Sequence, residues 1–478
     1  MAESWESVER TAAAAIEAVA DARWCAQEGT KQLPQRWPGA EALTRTAREL
    51  AEVDRARAVL VAEAAVWMAL RAPWARYRAA MAAPGATVRL RADDAAVPWA
   101  VLPGAVGAEP SRARRELLWA AGDGLSVDLR DEARDVVAAL REVTAALGGG
   151  LTDALGMGDV DEDAEALLAE TDDAFEELDA WAAKQAGLDR ARLTWPDRLH
   201  LGVHEALRRE VPSASYGLLG TDWLARVGLE SAQRAIVDGR RPAAEYAEGV
   251  EAWVTEPGRR ATVLGRPRML GADAGEVLGT LAVCAAGVVG GGMSPGQRRG
   301  VHRVLDGAAH ALGRGLLTEP GFLRRDAGLS GAARERALRA ALHAELARAR
   351  WDAAVARFTA AAMRRDPGMA ERFGAEVTRA MRCAPSPSWA VHLVARAMEP
   401  GGAWPGRSAG RVAGLWCAFA TRARLRERCD EDWFRNPRSG AVLRGAWDEL
   451  RAVGPTRDLA AERAELRQWL TAAMRPSA

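Results

Sequence analysis

The stretch Asp131–Leu147, DEARDVVAALREVTAAL, decides the fold class. Val136, Leu140, Val143 and Leu147 recur at alternating four- and three-residue steps, so they share one stripe of a helix turning once in about 3.6 residues. The run stops at the glycines of positions 148–150, a composition that ends helices. The same period returns at Ser4–Gln27, Asp163–Ala186, Ala332–Arg365 and Ala418–Arg428. Strand-like text is scarce, with TVRLR at Thr87–Arg91 and ATVL at Ala261–Leu264 as the two short candidates, each near Gly or Pro. The expectation is a mainly α protein, a large multi-helix body with at most a small subsidiary β-sheet.

Composition agrees. Ala is abundant and the basic residues are nearly all Arg, Lys31 and Lys184 being the exceptions, and both Ala and Arg favour helix. At 478 residues the chain can bury a sizeable core without covalent staples. Its 65 basic and 65 acidic residues cancel, which argues against nucleic acid or an anionic membrane as partner. Five scattered cysteines without a CxxC pair fit reduced thiols in a cytoplasmic protein. The opening MAESWESVER has no secretory character. Val277–Met293, VLGTLAVCAAGVVGGGM, carries no charge but is short and glycine-rich for a membrane span, so no membrane association is expected. Breaks in organisation are expected at Pro98–Pro110, at positions 148–150 and at Leu193–Asp197.

Several motifs suggest chemistry, and each has a plainer reading. The acidic run Asp159–Glu170, DVDEDAEALLAE, spaces carboxylates as a calcium loop does, but Ala164 stands where the loop needs Gly, so an acidic first turn of a helix is the better account. His200 and His204 in HLGVHE lie four apart, yet Glu205 follows both histidines instead of standing between them as in HExxH. His302, Asp306 and His310 recur every four residues in GVHRVLDGAAHAL. All three can face one side of a helix, but eight residues rise about 12 Å, too far for one metal. No GxSxG, P-loop or GxGxxG motif occurs in the required context.

Two segments carry a family resemblance. Leu425–Leu443, LRERCDEDWFRNPRSGAVL, has an aromatic pair and Asn-Pro ahead of the final helices, and Leu316–Gly328, LLTEPGFLRRDAG, precedes it. From about Leu193 onward the chain resembles the thimet oligopeptidase-like group of zinc peptidases, helical gluzincins that cleave short peptides. The resemblance implies a helical N-terminal region, 1–192, walling one side of a peptide channel, and a metallopeptidase-like region, 193–478. The family's HExxH overlies Glu276–Thr280, EVLGT. The histidine positions then hold Glu276 and Thr280, the general-base position holds Val277, and the third ligand falls near Asp306. Valine cannot take a proton from water, and two carboxylates with a threonine suit zinc poorly. The family's late tyrosines are also missing, since no Tyr follows Tyr246.

The resemblance with these losses implies a pseudoenzyme: no catalytic residue, no cofactor, and a peptide or protein partner, an intact paralogue being one form of it. Residual metal binding would fall to His302, Asp306 and His310. One alternative is a metal-dependent hydrolase with altered ligands, built on Glu276 and Asp306 with His302 or His310. Another is a self-assembling structural protein using its 18 Trp at interfaces.

Overall fold

A computed structural model describes residues 39–90, 96–152, 160–202, 205–211, 216–238, 250–256, 260–265, 273–289, 295–363, 368–397, 406–453 and 459–474. The protein is mainly α, as the periodicity requires. Its helices include α1 (Ala40–Ala51), α2 (Arg55–Ala82), α3 (Arg112–Asp128), α4 (Arg130–Leu147), α5 (Asp161–Gln185), α6 (Asp273–Val289), α7 (Pro295–Gly315), α8 (Gly331–Met363), α9 (Met369–Met381), α10 (Trp389–Ala397), α11 (Gly406–Cys429), α12 (Ser439–Val453) and α13 (Leu459–Met474). The expected helix at Ser4–Gln27 lies outside the described residues.

The apolar stripe of Asp131–Leu147 is the buried face of α4: Val136, Leu140, Val143 and Leu147 are all inside, and the helix ends at Gly148 with φ of 87°. Helix α5 starts with Asp161, Glu162 and Asp163 in its first turn, where the backbone N–H groups welcome negative charge. Because the run from Asp161 to Glu170 is helical, it does not form the looped ion site its spacing suggested. Asp159 lies outside the described residues.

The β-structure is small. Thr87–Val88 (β1) pairs antiparallel with Val97–Pro98 (β2). Ile236–Asp238 (β3), Val250–Glu256 (β4) and Arg260–Gly265 (β5) form a second sheet in the order β3-β5-β4, parallel then antiparallel. The expected strand at Ala261–Leu264 is the middle of β5. That at Thr87–Arg91 shrinks to two residues.

One apolar cluster runs from Leu43 to Leu470 and includes residues of every longer helix. Near the N-terminal helices it contains a stack of indoles: Trp389 lies 4.7 Å from Trp99 and 4.8 Å from Trp119, both nearly parallel to it. His392 packs edge-on to Trp99, donates from Nε2 to the Ser126 carbonyl at 2.6 Å, and accepts at Nδ1 from the Tyr77 hydroxyl at 2.8 Å. A carbonyl can only accept, so Nε2 must carry the proton. These contacts fix α10, late in the chain, to α2 and α3 at its start.

Pro98–Pro110, expected as a break, is folded: Trp99, Leu102 and Val106 are buried, and a short helix spans Leu102–Ala108. At Leu193–Asp197 the chain starts a helix with a capping box, Thr194 with Asp197. Asp197 accepts from Arg115 at 2.9 Å and pairs with Arg112 at 3.0 Å, tying this turn to α3. The two segments carrying the family resemblance also meet. Glu319 accepts from Arg422 and, at 3.4 Å, from the Trp433 indole, and Phe322 meets Phe434 edge to face at 5.8 Å.

The uncharged stretch beginning at Val277 lies largely in α6 and is buried, with positions 290–294 outside the described residues. Among the described residues one helix, Arg57–Ala82, is long and apolar enough to cross a membrane by length and composition. Of its most apolar window, 67 % is buried inside the protein, as in a core helix.

Candidate functional site

Four helices, α6, α7, α8 and α11, converge on Glu276. Helix α6 crosses α7 so closely that a side chain at Gly279 has no room: a Cβ there would lie 2.8 Å from the His310 carbonyl oxygen. Helix α7 crosses α11 equally closely, and a Cβ on Gly414 would lie 2.3 Å from the Ala308 nitrogen. Glycine at these crossings brings polar side chains from different helices into one cluster.

Glu276 Oε2 accepts from His310 Nε2 at 3.0 Å, and Oε1 accepts from Arg314. Arg314 also donates from Nε to Glu345 at 2.7 Å. Arg348 Nη2 stands 3.5 Å from Glu276 Oε1, and Arg411 Nη2 stands 3.9 Å from Oε2. Both arginines also face Asp352, Arg348 at 3.5 Å and Arg411 at 3.6 Å, and Asp352 accepts from the Ser408 hydroxyl at 3.1 Å. The cluster therefore joins three carboxylates to three guanidiniums around one imidazole. Its centre is nearly closed to solvent, with 15 % of the Glu276 side chain and 8 % of that of His310 exposed, while Arg348 at the rim is 37 % exposed.

Electrostatics follow from this geometry. Burial raises the Glu276 carboxyl, but Arg348, Arg314 and His310 outweigh it and hold the group well below the usual carboxylate range. Burial pushes the His310 imidazole down to about 3 against the pull of Glu276, so it is neutral, with its proton on Nε2. Burial also lowers Arg314, but Glu345 and Glu276 more than compensate and raise it.

Of the residues singled out in the sequence, Glu276, Val277 and Thr280 lie on α6, with Val277 and Thr280 buried. Asp306 and His310 lie on α7, and it is His310, one turn beyond Asp306, that meets Glu276. His302 lies on α7, its side chain outside the described part. His200 is elsewhere, bonded to the Gly107 carbonyl at 2.8 Å, and His204 is outside the described residues. Arg314, Glu345, Arg348, Asp352 and Arg411 were not singled out. Their spacing held a signal: His310 and Arg314 are four apart, as are Arg348 and Asp352, which sets each pair on one helical face.

The donor set does not fit zinc. A zinc site takes three protein ligands converging at about 2 Å, whereas here a single imidazole nitrogen is spent on the one carboxylate beside it and three cations surround both. Among the described residues no group of three or more His, Cys, Asp or Glu could hold a metal ion. A buried neutral imidazole against an ionised carboxylate could move a proton in principle, but the low basicity of both groups removes that use near neutral pH.

No protein-family model matches the sequence, and no curated protein matches it. Solved structures do. The chain is similar to a structure named for an oligoendopeptidase F from Bacillus anthracis, at 11 % identity and a TM-score of 0.49, over 91 % of this chain and 78 % of that one. It is similar to a second oligoendopeptidase F structure at 14 % identity and a TM-score of 0.47, over 95 % and 85 % of the two chains. For PZ peptidase A, solved with an inhibitor, the values are 12 %, 0.47, 95 % and 87 %.

Proposed function

We propose that this chain is a metallopeptidase-like helical protein that does not hydrolyse peptides and instead binds a peptide or protein partner. The observation carrying the reading is Glu276, bonded to His310 and Arg314 and flanked by Arg348 and Arg411. Hydrolysis by the family that the sequence resembles needs a dication and a base that deprotonates its bound water. Here guanidiniums would repel the dication, and Val277 stands at the position of the base. A helical body with that chemistry removed keeps surfaces suited to recognition.

The test is elemental analysis of purified full-length protein after incubation with zinc or manganese and dialysis, alongside cleavage of a quenched fluorescent peptide pool and binding of the same pool. The expected result is far less than one metal per chain, no cleavage and saturable binding. Stoichiometric metal with cleavage abolished by Glu276→Gln would establish a hydrolase with altered ligands instead.

A further inference from the structure

The guanidiniums of this protein are not equally satisfied. Arg350, fully buried, donates to the carbonyls of Ala380 and Leu168, to the Thr171 hydroxyl and to Asp172, all within 2.7–2.9 Å. Arg115, also buried, bonds the carbonyls of Glu109 and Pro110 and the carboxylate of Asp197. Arg314 donates to two carboxylates. Arg348 and Arg411 are different. They stand 3.5–3.9 Å from their carboxylate neighbours, and neither makes a hydrogen bond with any described residue. The Nε of Arg348 is buried without one, as is that of Arg115, so what distinguishes Arg348 is that its other nitrogens make none either.

Glu276 directs its hydrogen bonds to His310 and Arg314, and Arg348 and Arg411 meet it only as ion pairs at 3.5 and 3.9 Å. Two neighbouring guanidiniums thus hold ion pairs but no hydrogen bond within the protein, and their N–H donors suit a planar oxyanion. Arg407 lies one turn before Arg411 on the same helix, α11. Burial and the like charges of Arg348 and Arg407 push the pKa of Arg411 down to about 9. Arg407 adds a further positive charge beside Arg411. Of the Arg348 side chain 37 % is exposed, and of the Arg411 side chain 12 %.

We propose that Arg348 and Arg411, backed by Arg407, form a carboxylate-binding site at the edge of the Glu276 cluster. The carboxylate comes either from the C-terminus of a bound peptide, a source that rests on the peptide-binding reading above, or from a free small organic acid.

The experiment uses the full chain in low-chloride buffer with four probes: a mixed-sequence pool of N-acetyl tripeptides with free C-termini, the same pool as C-terminal amides, sodium succinate, and inorganic phosphate. Binding is followed by calorimetry and by the thermal midpoint. The free-acid pool is expected to bind at least about tenfold more tightly than the amide pool. Arg348→Gln and Arg411→Gln are expected to erase that difference while leaving amide binding unchanged. Arg348 is the more exposed, so R348Q carries the test if R411Q fails to fold, and R348K, which keeps the charge without the fork, is expected to recover only part of the discrimination.

Equal binding of acid and amide pools overturns the carboxylate site while leaving peptide binding standing. Succinate binding lost in R348Q, with neither pool bound, supports the site, assigns its ligand to free acids and removes the peptide-binding reading. Stabilisation by phosphate alone, no response to any probe, or discrimination intact in both variants overturns the proposal.

Discussion

Replacing Glu276 with Gln keeps the side chain's size and its acceptor for His310 while removing one charge from among three guanidiniums. At an effective dielectric of about 20, a unit pair at the 3.5 Å of Arg348 is worth about 5 kcal/mol and one at the 3.9 Å of Arg411 about 4 kcal/mol. Several kcal/mol return because the variant no longer buries a carboxylate, and breaking a buried pair on one side typically nets a loss of about 3 kcal/mol. Unfolding entropy of about 2.1 cal/mol/K per residue gives about 1.0 kcal/mol/K for this chain, so a single transition would drop by about 3 °C. Differential scanning calorimetry at pH 7.5 measures it. The cycle of E276Q, R314Q and the double variant should show a coupling of about 2 kcal/mol. An E276Q midpoint equal to or above that of the parent, or strictly additive effects in the cycle, would refute the claim that this contact is strongly coupled.

Three further outcomes follow from the geometry. The His310 imidazole titrates near 6.5 in the unfolded chain and near 3 in the folded one, so between those values the unfolded chain binds the extra proton and stability falls with acid. From pH 6.5 to 5 this amounts to about 2 kcal/mol, and His310→Gln should flatten the stability profile in that window, which lies above the ordinary titration of Glu276. A denaturant series at each pH measures the slope, and an unchanged slope would contradict the neutral imidazole. Gly279→Ala should cost about 1–3 kcal/mol, because its Cβ meets the backbone of α7, and a midpoint within error of the parent would mean the α6–α7 crossing yields freely. Trp389→Ala removes the middle indole of the stack and should cost about 3–5 kcal/mol with a loss of near-ultraviolet circular dichroism; a stability loss below about 1 kcal/mol would show that the stack is not holding α10 in place.

The helices with one apolar stripe were legible in the sequence. The pattern at Asp163–Ala186 became Asp161–Gln185, and that at Ala332–Arg365 became Gly331–Met363. Helix α2 shows no single stripe in the sequence because positions 58–67 are buried on every face. Strand β5 was legible, but β4, VEAWVTE, interrupts its β-branched and aromatic residues with acids, and pairing with β5 is what fixes it. At the site, Glu276 and His310 drew attention through motif comparison and spacing. Arg314, Arg348 and Arg411 did not, because in a chain whose basic residues are almost all Arg, an arginine four residues from an acid or a histidine is commonplace. Only the helix crossings distinguish these three from the rest, and those depend on glycines whose partners are distant in sequence.

The cluster's composition also separates what holds the helices from what the charges do. The crossings are set by apolar burial and by Gly279 and Gly414, neither of which needs a charge beside it. Buried ion pairs rarely stabilise a protein more than apolar side chains of the same volume, since desolvating each ion consumes most of the attraction. Three guanidiniums and three carboxylates inside such a crossing therefore contribute little that leucine or methionine could not, as far as folding is concerned. What leucine cannot do is present N–H donors on a partly exposed guanidinium such as that of Arg348. The proposed recognition of a carboxylate therefore rests on Arg348 and Arg411, the two members of the cluster that make no hydrogen bond with a described residue.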